Sequence, residues 1–558
     1  MTRHERIDAG TGRDLVRAVD AGPSLLQRIA QALHLGRRAP IRLLAVPRDP
    51  IAGDKTAGAA LLDGELLCGS HRFRLAELSF SDPGLPPEVV DRLHSFAWLR
   101  DLGAAVTHER GRKTAEGIAR AWLEAVPDKP VGPAWRADLA GQRILFWTAY
   151  APYLLASRDT GYRSALLRLL VRSAKQLEGS ADKARLGLSR IAAWSGVLGA
   201  ALVVQGAPAR LTRAEAGLAR ALRTGVSDDG GIVSRAPHEQ LQLIELLALV
   251  RAAYATTVHG LPDWFQEAQE GALSALLCVT MGDGGLSSWQ GGNPHTPRRI
   301  LAALEGAGAD TRPLRQARGW GYQRLQAKES ILVLDAAPPP TGLAPVGGCA
   351  STLAFEFCEG PQRIIVNCGG AGEARSRLPD EFVHLLRSTA AHSTLTLGDF
   401  NSTAILAGGG LGRGVVEVNL ERGTRDGKAM IEASHDGYVR RFGLVHQRKV
   451  LLSPDGRTLS GLDLLIARGR KGRKPVPFVV RFHLAPGMEV TSTADGRGAL
   501  LRVRGQKAWQ FRCRGGALTT EDSIWLDGQA VPHATAQMLI SGESPPDGMT
   551  ISWELQRA

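Results

Sequence analysis

The sequence predicts a multidomain α+β chain, a helical half followed by an all-β half. Three observations carry that prediction. Apolar residues recur at helical spacing through residues 90–320, a proline- and glycine-rich break covers residues 335–348, and beyond it the apolar period becomes two. The chain has 558 residues, enough for two or three domains of ordinary size. Its 44% hydrophobic and 22% charged residues are a globular composition, which argues against a mostly disordered or fibrous chain.

The elements follow in order. Residues 1–90 read as a mixed N-terminal segment with no clear period. From 91 to 334 the chain reads as helical. Tyr162 to Leu177 places Ala165, Leu166, Leu169, Leu170 and Ala174 on one face, with Arg163, Arg168, Arg172 and Lys175 between them. Thr212-Arg-Ala-Glu215 has the form of a capping box opening a helix through Leu222. Pro237 to Tyr254 is apolar on most faces, as in a helix buried among others, and Asp263 to Met281 is a further helical pattern. Ser227-Asp-Asp-Gly-Gly231 and Met281-Gly-Asp-Gly-Gly285 repeat a DGG turn 54 residues apart, a period that suits stacked helical hairpins. Residues 335–348, DAAPPPTGLAPVGG, read as a linker, because three successive prolines fit neither a helix interior nor a central strand. From 349 to 558 short alternating runs appear, such as Leu353, Phe355 and Phe357, Phe478 to Leu484, and Trp509 to Cys513. Separated by Gly, Asp and Pro turns, they predict a β-sandwich or barrel.

Lys plus Arg is 68 and Asp plus Glu is 55, a net charge of +13 spread along the chain. That balance favours an anionic partner: nucleic acid, anionic lipid or acidic polysaccharide. The six cysteines, Cys68, Cys278, Cys349, Cys358, Cys368 and Cys513, form no C-x-x-C pair and are expected to be free and buried. The longest mostly apolar stretch, Ile191 to Val204, is too short to span a bilayer, and MTRHERIDAG contains no apolar signal-peptide core.

Several motifs bear on chemistry, each with a plain structural alternative. No Walker A, G-x-S-x-G or H-E-x-x-H sequence occurs, and Gly410-Leu-Gly-Arg-Gly414 reads as a flexible turn. The basic run from Ala467 to Pro475 suits phosphate or sulfate, or is a solvated hairpin tip. It lacks the interleaved aromatics that nucleic-acid binding needs. His392 stands among small residues where a loop enters a strand, as a general acid or base would, or as a histidine hydrogen-bonded at a strand end. His435, Tyr438, His446 and Asp399 share the β region, but their spacing demands no metal. Arg235 and His238 fall at a helix N-terminus suited to a carboxylate ligand, or form a surface cap. Trp289, with Gln290 beside it, is placed to stack on a sugar, or belongs to the core.

These segments resemble the bacterial heparinase II/III-like family of polysaccharide lyases. The resemblance rests on Phe96-Ala-Trp-Leu-Arg-Asp-Leu102, Asp229 to Pro237, Gly321-Tyr-Gln-Arg-Leu325, and Gly348 through Asn367-Cys-Gly369 to Ala391-His-Ser-Thr-Leu395. His435-Asp-Gly-Tyr438 and Gly443-Leu-Val-His-Gln-Arg448 extend it, and it runs over roughly residues 45–555. It implies an incomplete α/α toroid of helical hairpins followed by an antiparallel β-sandwich.

The resemblance also implies β-elimination at a uronic acid of an acidic polysaccharide, a reaction that itself needs no bound cofactor. Such chemistry needs a group that neutralises the uronate carboxylate, a base for the adjacent proton and an acid for the leaving oxygen. His392 matches the family's sandwich histidine and is the catalytic candidate. Where the family has a Tyr-His pair the chain reads Pro237-His238-Glu239-Gln240, so Tyr254 and Tyr438 are the substitutes considered. The family's asparagine is replaced in the region of Ser189-Arg190, which leaves Arg190 or Arg235 for the carboxylate. Thr394 stands where zinc-bearing members have a second histidine. Arg235, His238, Trp289, Gln290, Arg190 and Tyr438 are the expected substrate-binding residues, with no nucleic acid as partner. The alternative function is a non-catalytic glycan-binding or envelope-assembly protein on the same scaffold. The family's usual setting is the cell envelope, whereas the start of the chain shows no export signal.

Overall fold

Apolar spacing of 3.6 residues builds the first half as helices, and the longest apolar stretch of the chain lies in one buried among the others. In the computed structural model the chain divides into two units, residues 1–42 and 43–558. The described residues are 41–69, 71–126, 131–205, 208–308, 311–340, 347–370, 372, 378–407, 409–468, 474–503, 505 and 507–558. Of the first unit only residues 41 and 42 are among them.

The second unit opens with α1 (Lys55–Leu62), which Asp54 caps by accepting from the amides of Thr56 and Ala57, and a small hairpin of β1 (Glu65–Cys68) and β2 (His71–Arg74). The helical half then runs through α2 (Pro87–Ser95), α3 (Trp98–Ala105), α4 (His108–Ala125), α5 (Ala137–Ala149), α6 (Ala151–Leu155), α7 (Thr160–Ser180) and α8 (Leu188–Val203). It continues with α9 (Pro208–Gly225), α10 (Pro237–Tyr254), α11 (Asp263–Cys278) and α12 (Pro297–Ala307). The helices pack in an incomplete α/α toroid, with α5 against α8 and α8 against α9 and α10. The apolar stretch Ile191 to Val204 is most of α8, buried on nearly every face. Helices α5 and α8 approach through Gly141 and Gly196; a Cβ on Gly196 would lie 2.5 Å from the Gly141 Cα. Among the described residues no helix is long and apolar enough to cross a membrane. All six cysteines are buried thiols outside any disulfide.

The DGG repeat is a repeat in structure. In each copy the amide before the turn bonds the carbonyl of the last glycine, Ser227 to Gly231 and Met281 to Gly285, both at 2.8 Å. Both aspartates reach the chain beyond the toroid. Asp229 accepts from the amides of Gly319 at 2.9 Å and Trp320 at 3.3 Å, and Asp283 takes the Arg363 guanidinium at 2.7 and 3.0 Å. The proposed capping box is not one. Helix α9 begins at Pro208, so Thr212 lies within it, and the Glu215 carboxylate accepts from the Tyr254 hydroxyl at 2.7 Å.

Period-two alternation builds the second half. Its strands are β3 (Tyr322–Ala327), β4 (Ser330–Asp335), β5 (Phe355–Glu359), β6 (Gln362–Val366), β7 (Leu395–Leu397), β8 (Val418–Arg425) and β9 (Lys428–His435). They continue as β10 (Leu444–Leu452), β11 (Thr458–Ala467), β12 (Val476–Leu484), β13 (Glu489–Ser492), β14 (Gly498–Arg502), β15 (Trp509–Arg514), β16 (Ala517–Leu526), β17 (Pro532–Ser544) and β18 (Gly548–Arg557). Two eight-stranded antiparallel sheets result. One has the order β13-β14-β15-β18-β11-β10-β9-β8; the other has β16-β17-β12-β6-β5-β4-β3, with β7 on β12. Their inner faces meet in one apolar core, where Phe355 stacks flat on Trp553 at 5.5 Å and Phe482 meets both rings. Gly461 makes room for that indole, since a Cβ there would lie 2.1 Å from it.

Two boundaries differ from the sequence reading. Strands β3 and β4 pair with β5, so the sandwich begins at Tyr322 and residues 335–348 are an insertion within it. A proline run separates two strands of one sheet as readily as two domains, because both connections are loops. Residues 341–346 of that linker lie outside the described residues. The basic run from Ala467 to Pro475 joins β11 and β12, which belong to different sheets, so it links the sheets and turns no hairpin; its residues 469–473 lie outside the described residues.

Candidate functional site

A cleft of about 960 Å³ lies between the toroid and the sandwich. Helix α10 supplies much of one wall, with His238, Gln242, Glu245, Leu246 and Leu249 on a single face. Glu88, Asp91 and Arg92 come from α2, Asp138, Gln142 and Phe146 from α5, and Leu188 and Ser189 from the first turn of α8. Gln290, Asn293 and His295 follow the second DGG turn. The sandwich contributes Gly347, Gly372, Gly528, Gln529 and Ala530.

The two halves meet at the cleft through backbone. Gly291 has a φ of +85°, and a Cβ on it would lie 2.7 Å from the Gly347 Cα. The Gly372 amide bonds the Gly291 carbonyl at 3.1 Å, and the Gly370 amide bonds Asn293 Oδ1 at 2.7 Å. Gln290 completes the seam: its Oε1 accepts from the Cys349 amide at 2.9 Å and its Nε2 donates to Ser351 Oγ at 3.1 Å.

The cleft arginines are paired. Arg92 meets Asp101, Arg100 meets Asp49 at 2.8 Å and Glu245 at 3.8 Å, and Arg136 meets Asp91 at 2.5 Å and Asp138 at 2.6 Å. Arg185 lies 3.7 Å from Glu239, and Arg299 bonds Glu245 at 2.9 and 3.2 Å. Arg299 and Arg100 hold the buried Glu245 carboxyl below its usual range against the opposing cost of desolvation. His238 keeps a buried Nδ1 with no hydrogen-bond partner.

Of the residues named from the sequence, His238 and Gln290 line this cleft, and the others do not. Arg235 is buried at a φ of +58°, donating from Nε to the Trp320 carbonyl at 2.7 Å and from Nη1 to the Pro338 carbonyl at 2.8 Å, and pairing with Asp335. It is therefore a bolt between toroid and sandwich and no free ligand for a carboxylate. Trp289 is 1% exposed; its Nε1 donates to Ser287 Oγ at 2.6 Å and its ring packs on Tyr322, so it belongs to the core. Arg190 closes the turn before α8, donating to the Ala184 carbonyl at 3.0 and 3.2 Å. Tyr438 is sealed in the sandwich with its hydroxyl on the Leu395 carbonyl at 2.8 Å, and burial drives its pKa up. Tyr254 is likewise buried. No tyrosine is among the described residues that line the cleft.

His392 is 1% exposed and also outside the lining. Its Nδ1 donates to the Ser388 carbonyl at 2.8 Å, and burial lowers its pKa to about 4, so the ring is neutral near pH 7. His435 and His446 form a buried hydrogen-bond chain. The Gly437 amide donates to His435 Nδ1, His435 Nε2 donates to His446 Nδ1 at 3.3 Å, and His446 Nε2 donates to Asp463 at 2.8 Å. Asp463 also receives Arg448 and the Trp553 Nε1, and Arg448 with His446 holds its carboxyl far below the usual range despite burial. Among the described residues no three His, Cys, Asp or Glu side chains are grouped to hold a metal ion.

Sequence reasoning missed most of the cleft. Gln240, beside the family's Tyr-His position, is buried; it receives the Ile232 amide at 2.7 Å and donates to the Gly230 and Ala272 carbonyls, holding the first DGG turn. The usable signal was a polar set on α10, His238, Gln242 and Glu245, at spacings of four and three in a mostly apolar helix.

Comparison with known proteins agrees with this architecture. Residues 309–554 match the family model described as heparinase II/III-like, C-terminal. FtsZ-localized protein C of Caulobacter vibrioides (strain NA1000 / CB15N) is 28% identical over 534 residues, covering 93% of this chain and 91% of that protein. The crystal structure of heparinase III superposes with a TM-score of 0.69 at 12% identity, covering 96% of this chain and 89% of that one. A mutant of heparan sulfate lyase HepC from Pedobacter heparinus gives 0.61 at 13% identity, covering 90% and 82%. At these identities the two structures show a shared fold.

Proposed function

Through residues 309–554 the chain belongs to the heparinase II/III-like family, and from that premise we propose that it holds a glycan strand in its toroid–sandwich cleft without cutting it. The observation that carries this reading is the contents of the cleft. The cavity is large enough for several sugar rings, yet the histidine and tyrosines matched to the elimination chemistry are elsewhere. His392 and Tyr438 are buried outside it, Arg235 and Arg190 are bonded within the protein, and the described lining has no tyrosine. A base and an acid must lie within hydrogen-bond reach of the protons they move, so a cleft without the family-matched histidine and without a described tyrosine binds more readily than it cuts. In this reading the chain works beside FtsZ, as the name of its Caulobacter relative says of that protein; the likeness covers nearly the whole of both chains.

Two experiments test it. The purified protein is incubated with heparan sulfate, heparin, alginate, chondroitin and bacterial exopolysaccharides while ultraviolet absorbance follows the double bond that elimination creates. No absorbance growth on any of these polymers is expected. Growth that is lost in His392→Ala would establish the second reading, a lyase with His392 as base. That reading is favoured by the neutral imidazole, whose Nδ1–H is fixed on Ser388 and whose Nε2 is left to accept a proton. A fluorescent fusion should coincide with labelled FtsZ in dividing cells, and a uniform distribution would remove the location from the proposal.

A further inference from the structure

The charge of the cleft does not follow the charge of the chain. Net charge is +13 over 558 residues, an excess that suits a polyanion. Yet the described lining of the cleft holds Arg92, Arg100, Arg136, Arg185 and Arg299 against Glu88, Asp91, Asp138, Glu239 and Glu245. Five cations face five carboxylates, so the described lining does not carry the excess. Each of these arginines also has a carboxylate within 4 Å, and Arg100 and Arg136 each have two. A sulfate or uronate entering here would have to take a guanidinium from a carboxylate already on it, while lying beside carboxylates of its own sign.

The rest of the described polar lining carries neither a guanidinium nor a carboxylate. It includes the amides of Gln142 and Gln242, the Ser189 hydroxyl and His238, with its unpartnered Nδ1, while the lining leucines Leu139, Leu188, Leu246 and Leu249 are at most 9% exposed. Amide and hydroxyl groups match sugar hydroxyls and acetamido groups. We infer that the cleft takes a neutral glycan, one without sulfate or carboxylate. The inference rests on the proposed glycan-holding role and names its substrate class.

Affinity is measured by calorimetry on the full chain and on Ser189→Trp, which fills the cleft from the first turn of α8; the cleft-dependent binding is the difference. The probes are N-acetylglucosamine and β-glucan hexamers, both neutral, and a heparin and an alginate hexamer. A neutral probe should bind about tenfold or more tighter than either anionic one, with an affinity that changes less than about twofold between roughly 0.05 and 0.5 M salt. Glu239→Gln, which leaves Arg185 without its carboxylate, should raise cleft-dependent heparin affinity severalfold. Cleft-dependent binding as tight or tighter for an anionic probe would overturn the neutral class and leave the glycan-holding role standing. Cleft-dependent binding to none of the four would overturn both.

Discussion

At the scale of single residues, the polar side chains that looked chemical in the sequence are mostly structural pins. Arg235 and Asp335 are both at most 7% exposed at the side chain, and Asp335 also accepts from Ser351 Oγ at 2.7 Å. Removing one partner of such a pair strands a buried charge, which costs about 3–5 kcal/mol. Arg235→Ala should therefore lower the denaturant midpoint, whereas a role at a glycan would lower binding with stability unchanged. Asp463 has a still more closed setting, since His446, Arg448 and Trp553 all donate to it and both members of its arginine pair are fully buried. Asp463→Asn should cost about as much, and equilibrium unfolding monitored by the sandwich tryptophans would read it. A midpoint within error of the parent would remove the pin assignment.

At the scale of elements, close approach of backbones sets what the chain tolerates. Gly141 and Gly196 let α5 and α8 cross with backbone almost touching backbone, and Gly291 and Gly347 do the same where toroid meets sandwich. Gly291→Ala adds a methyl against the Gly347 Cα at a left-handed φ, so two penalties combine. A loss of about 1–3 kcal/mol is expected from overpacking alone. If Gly291→Ala unfolds at the parent's midpoint, the seam is looser than its geometry implies. The two DGG turns act at the same scale. They end helical hairpins, and their aspartates dock the toroid on the segment before β3 and on β6. Repetition in the sequence thus marks a repeated junction, with no catalytic group in it.

For the whole molecule, pH is the informative variable. His392 is held at about 4 and His483 at about 3 by burial, against 6.5 for an exposed imidazole, and His435 and His446 are also lowered. Their folded pKa values are depressed, so between the folded and unfolded values only the unfolded chain takes up protons. Stability is then complete above about pH 6.5 and falls as the pH drops toward 4. His392 alone accounts for about 3 kcal/mol of that loss across the window, at about 1.4 kcal/mol per pH unit. Thermal unfolding between pH 7.5 and 4.5 should show a falling Tm, with His392→Gln giving a shallower decline than the parent. A flat profile would mean that these rings do not stay neutral in the fold.

The change of apolar period, the DGG repeat and the limits of α10 were determined by the sequence alone, because each is a local property of which residues face which way. So was the fold class, together with the burial of the cysteines. The cleft was decided by tertiary structure. Whether an arginine is a ligand or a bolt depends on which carboxylate or carbonyl comes within 3 Å of it, and such a partner can lie far off in the chain, as Pro338 does 103 residues from Arg235. The same holds for His392, whose small neighbours suggested access. In the fold they close over the ring, because small side chains allow backbones to pack tightly as readily as they leave a path to solvent. Net charge is a sum over the chain, whereas a cleft responds to the few groups that line it, and among the described lining residues folding placed five carboxylates beside five arginines.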